Sequence, residues 1–140
     1  MLKNICFQQM IKIGTIEVIN MSKILVHLTN GPKHPTRAAL AFLVAKSAID
    51  EGHTVGLFLA GDAVQILRDA VLDNLIGLGT GKVREHYDGI VSGGGKFYLS
   101  GMSSKARGFS EADLVGKPVE FAMPNALVRL ALEADRMFTY

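Results

Sequence analysis

One short polar segment holds two serines and two cations that could together bind a small anion or act on it. Ser100 and Ser103 carry hydroxyl nucleophiles, and Lys105 and Arg107 follow them with positive charges. A serine hydroxyl attacks only when a base accepts its proton. His34 is the candidate base, because an imidazole side chain can accept and release a proton. The sequence therefore allows a Ser/His transferase or hydrolase site, although a solvated loop and an exposed histidine explain the same residues.

Two further residues, Asn30 and Asp62, could orient a ligand from neighbouring segments. Capping of the next helix is the favoured role for Asp62, because a side-chain oxygen there satisfies free helix amides. The candidate ligand-binding residues are Asn30, Asp62, Ser100, Ser103, Lys105 and Arg107, and the candidate catalytic residues are Ser100, Ser103 and His34.

The sequence carries weak signals for phosphate, metal or disulfide chemistry. Segment 79–82, GTGK, is followed by Val83 rather than Ser or Thr, so it does not fit a P-loop. The four histidines lack metal-ligand spacing, and His27 is expected to be a hydrogen-bonded core residue. A single cysteine, Cys6, forms no intramolecular disulfide, which is typical of the reducing cytoplasm. We expect neither a metal nor a cofactor.

Alternating strand and helix signals predict the scaffold that positions these residues. Short apolar runs predict strands, and longer runs with apolar faces predict helices. The predicted strands cover 23–28, 54–59, 96–99, 118–123 and 136–140, and the predicted helices cover 36–51, 64–73, 82–92 and 126–135. Segments 77–81 and 100–107 are expected to be loops. The alternation implies a single-domain three-layer α/β/α sandwich with a mainly parallel sheet of about five strands.

The predicted sheet also indicates where a ligand would bind. In an open parallel sheet the crevice lies beyond the carboxyl ends of the strands, where loop amides and helix N-termini meet. This rule selects loops 29–35, 60–63, 100–108 and 123–125. Every candidate catalytic or ligand-binding residue lies in one of these loops.

The composition is typical of one globular domain. The chain has 140 residues, of which 49% are apolar and 20% charged, and a mean hydropathy of +0.26. These values exclude a disordered chain. The sequence also contains no charge-free run of about 18 residues, the length that a membrane-spanning helix needs. A net charge of +2 gives little attraction to nucleic acid or to an anionic membrane. We therefore expect neither as a partner.

The first twenty residues are predicted to be an extension to a domain that covers 21–140. Met21 directly precedes the first core strand, so residues 1–20 are interpreted as a mis-assigned start or as an arm that contacts other subunits. The alternative is an edge strand or a hairpin with its turn at Gly14-Thr15, because Ile and Val alternate along this segment.

Several segments, taken in order, resemble the DsrE/DsrF-like family of small sulfur-relay proteins. They are ILV at 24–26 with TNG at 29–31, the helix near 39–48, LFL at 57–59 with GDAV at 61–64, FYLS at 97–100 with RG at 107–108, and the ending ADRMFTY at 134–140. The ending is similar to the family's Ala-Asp-Lys-hydrophobic-hydrophobic-Thr-Phe, and the resemblance covers residues 22–140.

The resemblance implies a compact α/β sandwich that assembles into trimers or hexamers, often with related subunits. It also implies a persulfide-carrying cysteine after the third strand. Here Ser100 and Ser103 look like the family's cysteine positions, and residues 7–140 contain no cysteine. An unactivated serine hydroxyl cannot hold sulfane sulfur. The expected role is either a cytoplasmic, non-catalytic relay subunit or a protein that binds a small anionic ligand. The expected partners are copies of the chain itself or a related sulfur-relay subunit.

Self-association is also expected from the residues themselves. The Ala-rich helix at 38–48 has little polar face to present to water. Apolar patches of several hundred Å² are uncommon on monomers. A homo-oligomer would cover such a patch.

Overall fold

A computed structural model of the protein describes residues 10–13 and 16–140, with side chains described from residue 20 onward. Strands β1 (Met10–Ile13) and β2 (Ile16–Ile19) pair antiparallel, with Met10 opposite Ile19. This pairing agrees with the hairpin alternative for the first twenty residues. The expected turn at Gly14-Thr15, like Cys6, lies outside the described residues.

A five-stranded, fully parallel sheet forms the centre of the fold, as the sequence predicts. The strand order across the sheet is β8-β7-β4-β3-β9. The strands are β3 (Lys23–Leu28), β4 (Thr54–Leu59), β7 (Lys96–Ser100), β8 (Val119–Ala122) and β9 (Arg136–Thr139). Because all five run the same way, their carboxyl ends lie along one edge of the sheet.

Helices connect successive strands. They are α1 (Pro35–Asp50), α2 (Asp69–Leu72), α3 (Val83–Ser92), α4 (Gly101–Ala106) and α5 (Pro124–Glu133). Two 3-10 helices cover Gly61–Leu67 and Glu111–Leu114, and β5 (Ile76–Gly77) pairs with β6 (Gly81–Lys82) in a small hairpin. No described helix is long and apolar enough to cross a membrane.

Three of the predicted elements are wrong in detail. The helix expected over 64–73 is a 3-10 helix followed by one α-helical turn, because Arg68 has an extended backbone (φ −72°, ψ 132°) that separates them. The glycine-rich loop at 77–81 forms the β5–β6 hairpin. The polar loop expected at 100–107 contains α4, and the Ser100 side chain caps this helix by accepting the Ser103 N–H.

Helices α1 and α3 bury the centre of the first face of the sheet, whereas Phe121 and Phe138 on its two outer strands are 38% and 42% exposed. Val26, Leu57 and Phe97 point to this face and are at most 1% exposed. Phe97 stacks on Phe42 of α1 at a centroid distance of 6.0 Å and lies 5.0 Å from Tyr87 of α3. These aromatic contacts join the two helices to the sheet and form the centre of the core.

The second face is covered incompletely. Helix α5 lies on it, but no α5 residue is fully buried. The large exposed apolar side chains near this face include Val128 and Leu132 of α5 and Met137 of β9. The Ala-rich α1, from which we expected an exposed apolar surface, instead has no large apolar residue among the exposed ones. The exposed apolar surface therefore lies on a different helix from the one expected.

Replacing Phe97 with alanine should destabilise the domain strongly. The change removes a fully buried ring from contact with Phe42 and Tyr87, and such changes cost about 3–5 kcal/mol. Urea denaturation of Phe97→Ala at a fixed protein concentration measures the loss. Leu78→Ala is the matched control, because Leu78 is 90% exposed and its removal should cost no more than about 0.5 kcal/mol. Equal losses in the two variants would contradict this description of the core.

Candidate functional site

The two candidate serines lie together at the carboxyl end of β7, and both hydroxyls already have hydrogen-bond partners. The Ser100 Oγ accepts the Ser103 N–H at 3.3 Å and caps α4. The Ser103 Oγ accepts the Gly61 N–H at 2.9 Å, which links α4 to the loop after β4. Each hydroxyl thus holds a backbone amide in place, and both serines lie at the carboxyl edge of the sheet, where strand direction predicts a crevice.

Asp62 and Arg107 form an ion pair at the same end of the sheet. The Arg107 Nη2 donates to Asp62 Oδ1 at 2.9 Å, and its Nε donates to the same oxygen at 3.1 Å. The Arg107 Nη1 also donates to the Ser103 carbonyl at 3.1 Å. The helix-capping role expected for Asp62 is wrong: Ala60 occupies the cap position, and the Asp62 side chain reaches across to Arg107.

A close backbone contact, not expected from the sequence, brings the first two crevice loops together. A Cβ atom added to Gly31 would lie 2.5 Å from the Asp62 carbonyl oxygen and 2.8 Å from its carbonyl carbon. Gly61, which follows β4, has a φ of +57° that favours glycine. The sequence contains a signal for this contact, because glycine occurs in TNG at 29–31 and in GDA at 61–63, directly after two neighbouring strands. Glycine at such places permits two backbone segments to approach closely.

The other candidate residues do not join this cluster. His34 is exposed, and its side chain makes no hydrogen bond to Ser100 or Ser103 within residues 20–140. Lys105 is exposed on α4, and no ion pair within the same range involves it. Asn30 is partly buried in the first loop without a side-chain hydrogen bond to the residues described. The structure therefore brings together Ser100, Ser103, Asp62 and Arg107, and leaves the other candidates apart.

Two buried polar groups near the sheet lack the partners that their types normally require. Ser104 is 1% exposed and its Oγ has no hydrogen-bond partner, so it is inaccessible as a nucleophile. The Nε2 of His27 is likewise buried without a partner, and the ring packs edge-on against Phe58 at 5.9 Å. The prediction that His27 is a hydrogen-bonded core residue is therefore wrong for its Nε2 atom. Burial lowers the pKa of His27, which favours the neutral imidazole.

The described residues hold no group of three or more His, Cys, Asp or Glu side chains that could bind a metal ion. Among residues 20–140, this site therefore offers two serine hydroxyls that already have hydrogen-bond partners and one arginine, Arg107, whose charge Asp62 neutralises. The model of the DsrE/DsrF-like family matches residues 22–140, a range that includes all of these groups.

The chain belongs to the DsrE/DsrF-like family. No curated protein matches the chain significantly. Among solved structures, the YchN protein from E. coli superposes with a TM-score of 0.70 at 20% identity, covering 86% of this chain and 100% of YchN. A conserved protein of unknown function from Bacteroides thetaiotaomicron, BT1422, gives a TM-score of 0.62 at 14% identity, covering 85% of this chain and 95% of its own. At these identities the two structures show the fold alone.

In this DsrE/DsrF-like chain, Gly31→Ala should loosen the crevice. The added methyl group would overlap the Asp62 backbone, and overpacking of this kind costs about 1–3 kcal/mol. Urea denaturation measures the cost, and a crystal structure would show loops 29–35 and 60–63 moved apart. Lys33→Ala in the same loop is the control, because Lys33 is exposed and its loss should stay within about 0.5 kcal/mol. A Gly31→Ala protein as stable as this control would rule out the close contact.

Proposed function

We propose that the protein is a cytoplasmic, non-catalytic subunit of a sulfur relay, which assembles with DsrE/DsrF-like subunits but carries no persulfide itself. The observation that carries this proposal is the chemistry of Ser100 and Ser103, the positions that resemble the family's cysteine positions. A thiolate is nucleophilic and holds sulfane sulfur, whereas a protonated hydroxyl does neither. Both hydroxyls, moreover, are engaged with backbone amides.

The subunit role is favoured over binding of a small anionic ligand at the crevice. Arg107 would be the natural anion-binding group, but Asp62 already neutralises it. A ligand would have to compete with that carboxylate or rely on the exposed Lys105. In the relay proposal the carboxyl edge of the sheet, with Asp62, Ser100, Ser103 and Arg107 at its centre, faces the partner subunit that holds the cysteine.

Self-association is part of the proposal, with a trimer or a hexamer as the expected assembly. It is supported by α5, whose ten residues include none that is fully buried, and by the exposed apolar side chains Val128, Leu132 and Met137 on the same face of the sheet. Exposed apolar surface of this kind commonly marks a contact with another protein chain. A second copy of the chain is the simplest occupant, because every copy presents the same surface.

Sulfur uptake from inorganic polysulfide tests the non-catalytic role. The rates are compared by intact-protein mass spectrometry under non-reducing conditions, with Cys6→Ser/Ser92→Cys as a protein that bears an exposed, unactivated thiol. The wild-type protein should gain sulfur no faster than this control. Cys6→Ser/Ser103→Cys should gain it about tenfold faster, because the Gly61 N–H would donate to the new thiolate and lower its pKa.

Three results would count against the proposal. Wild-type uptake much faster than that of the Ser92→Cys control would make Cys6 an activated sulfur carrier. Uptake by Cys6→Ser alone would place sulfur on a group other than a thiol. A Ser103→Cys rate equal to that of the control would remove the reason for treating position 103 as the family's cysteine position.

Native mass spectrometry tests the assembly. The wild-type protein should appear as a trimer or a hexamer, and Leu132→Glu should shift it towards smaller species by placing a charge on the apolar face of α5. Leu78→Glu should leave the mass unchanged, since Leu78 is also exposed but belongs to the hairpin between β5 and β6. A wild-type monomer would rule out self-association.

A further inference from the structure

A half-open cavity of about 310 Å³ lies between the second face of the sheet and α5. Its lining comes from the amino ends of β3, β4 and β7 and from the last turn of α5. The crevice with Ser100 and Ser103 lies at the opposite, carboxyl edge, one strand length away. The cavity is therefore a separate site, and a ligand bound in it would be independent of the proposed relay function.

A missing side chain creates the floor of the cavity. Gly56 of β4 pairs with Leu25 on one side and with Lys96 on the other, and these three residues share the second face. A Cβ at Gly56 would meet Tyr98 Cε2 at 3.4 Å and Leu25 Cδ1 at 3.8 Å. Leu130 of α5 also lines the cavity. The floor is consequently apolar. The cavity volume of about 310 Å³ lies at the low end of the range for ligand pockets.

The rim of the cavity carries two lysines without partners. Lys23 begins β3 opposite Thr54 and Lys96 begins β7 opposite Gly56, so the two stand on either side of β4, roughly 12 Å apart at their backbones. Neither ammonium group makes an ion pair or hydrogen bond with residues 20–140. Cations with apolar surface between them are suited to a molecule that has an anionic head and an apolar body.

The opposite wall of the cavity is negative. Glu133 lies in the last turn of α5, where the helix dipole adds further negative potential. An anionic head would therefore turn away from Glu133 towards the lysines, with its apolar body against Leu25, Gly56 and Leu130. The lining charges are Lys23, Lys96 and Glu133, and just outside the lining the Asp135 carboxylate accepts the Lys23 backbone N–H at 2.8 Å, so an anionic group would be held by the two ammonium groups and not by a net positive charge.

We propose that this cavity binds a small monocarboxylate with an apolar body. Lys23 and Lys96 hold the carboxylate, and the floor at Leu25 and Gly56 receives the hydrocarbon. The Tyr98 hydroxyl, which makes no hydrogen bond with residues 20–140, is a third donor at the cavity wall. Burial, together with the charges of Glu120 and Glu133, raises the pKa of Tyr98, so the phenol keeps the proton that it donates.

The proposal is tested with 4-methylpentanoate on the full-length, nitrogen-15-labelled protein. Backbone amide shifts should saturate at Leu25, Gly56 and Tyr98. The neutral analogue 4-methylpentan-1-ol, which has the same skeleton, should bind about tenfold more weakly, since it lacks the charge that the lysines recognise. L-leucine should also bind more weakly, because its added ammonium group meets the same lysines.

Three variants connect the binding to the cavity. Lys96→Gln should remove most of the preference for the acid over the alcohol, whereas Lys82→Gln, at an exposed lysine on β6, should leave it intact. Gly56→Val should fill the floor and abolish the binding of both probes, and an unchanged amide spectrum elsewhere would show that the variant is folded. Lack of saturable shifts with the acid, equal affinity for the alcohol or for leucine, or an unaltered preference in Lys96→Gln would each overturn the proposal.

Discussion

A parallel sheet must be covered on both faces, and the helices of this chain bury the centre of one face but cover the other face only in part. Helices α1 and α3 bury the first face around Phe42, Tyr87 and Phe97. The second face has α5 alone, and α5 contributes no fully buried residue. Parallel sheets are almost always enclosed on both sides, because their strands are apolar on both. The exposed apolar side chains and the cavity beside Gly56 both result from this shortage of covering structure.

The carboxyl edge of the sheet has a different character, because its groups satisfy one another. The Gly61 amide, the two serine hydroxyls, Asp62 and Arg107 form a closed set of hydrogen bonds. These contacts would suit a thiolate at position 103, which a neighbouring N–H would stabilise. With serine there, the same contacts hold the loops together but activate no nucleophile. Residues 7–140 contain no cysteine, so this edge of the sheet has no thiol of its own that could carry sulfur.

The strands and the long helices could be predicted from the sequence, whereas the contacts within the crevice could not. Strands β3 and β4 start and end where their apolar runs do, since burial on both faces leaves a continuous signal. Helix α4 was missed because it has only six residues, of which three are glycine or serine, although Ser100 before it is a typical N-cap residue. The pairing of Asp62 with Arg107, 45 residues apart, depends on how two loops meet in space, and no local pattern records that distance.

The position of β9 determines how the sheet opens. It pairs with β3 alone, Ile24 opposite Arg136, so its contacts join segments more than a hundred residues apart. Closing so long a loop is entropically costly, and contacts of this kind form late in folding. Edge pairing is also the first to be lost in partial opening events. Release of β9 would bare His27 and Leu25 while β3, β4, β7 and β8 stay paired, so amide exchange at Tyr140, whose N–H donates to the His27 carbonyl oxygen, would report a partly open state that is distinct from global unfolding.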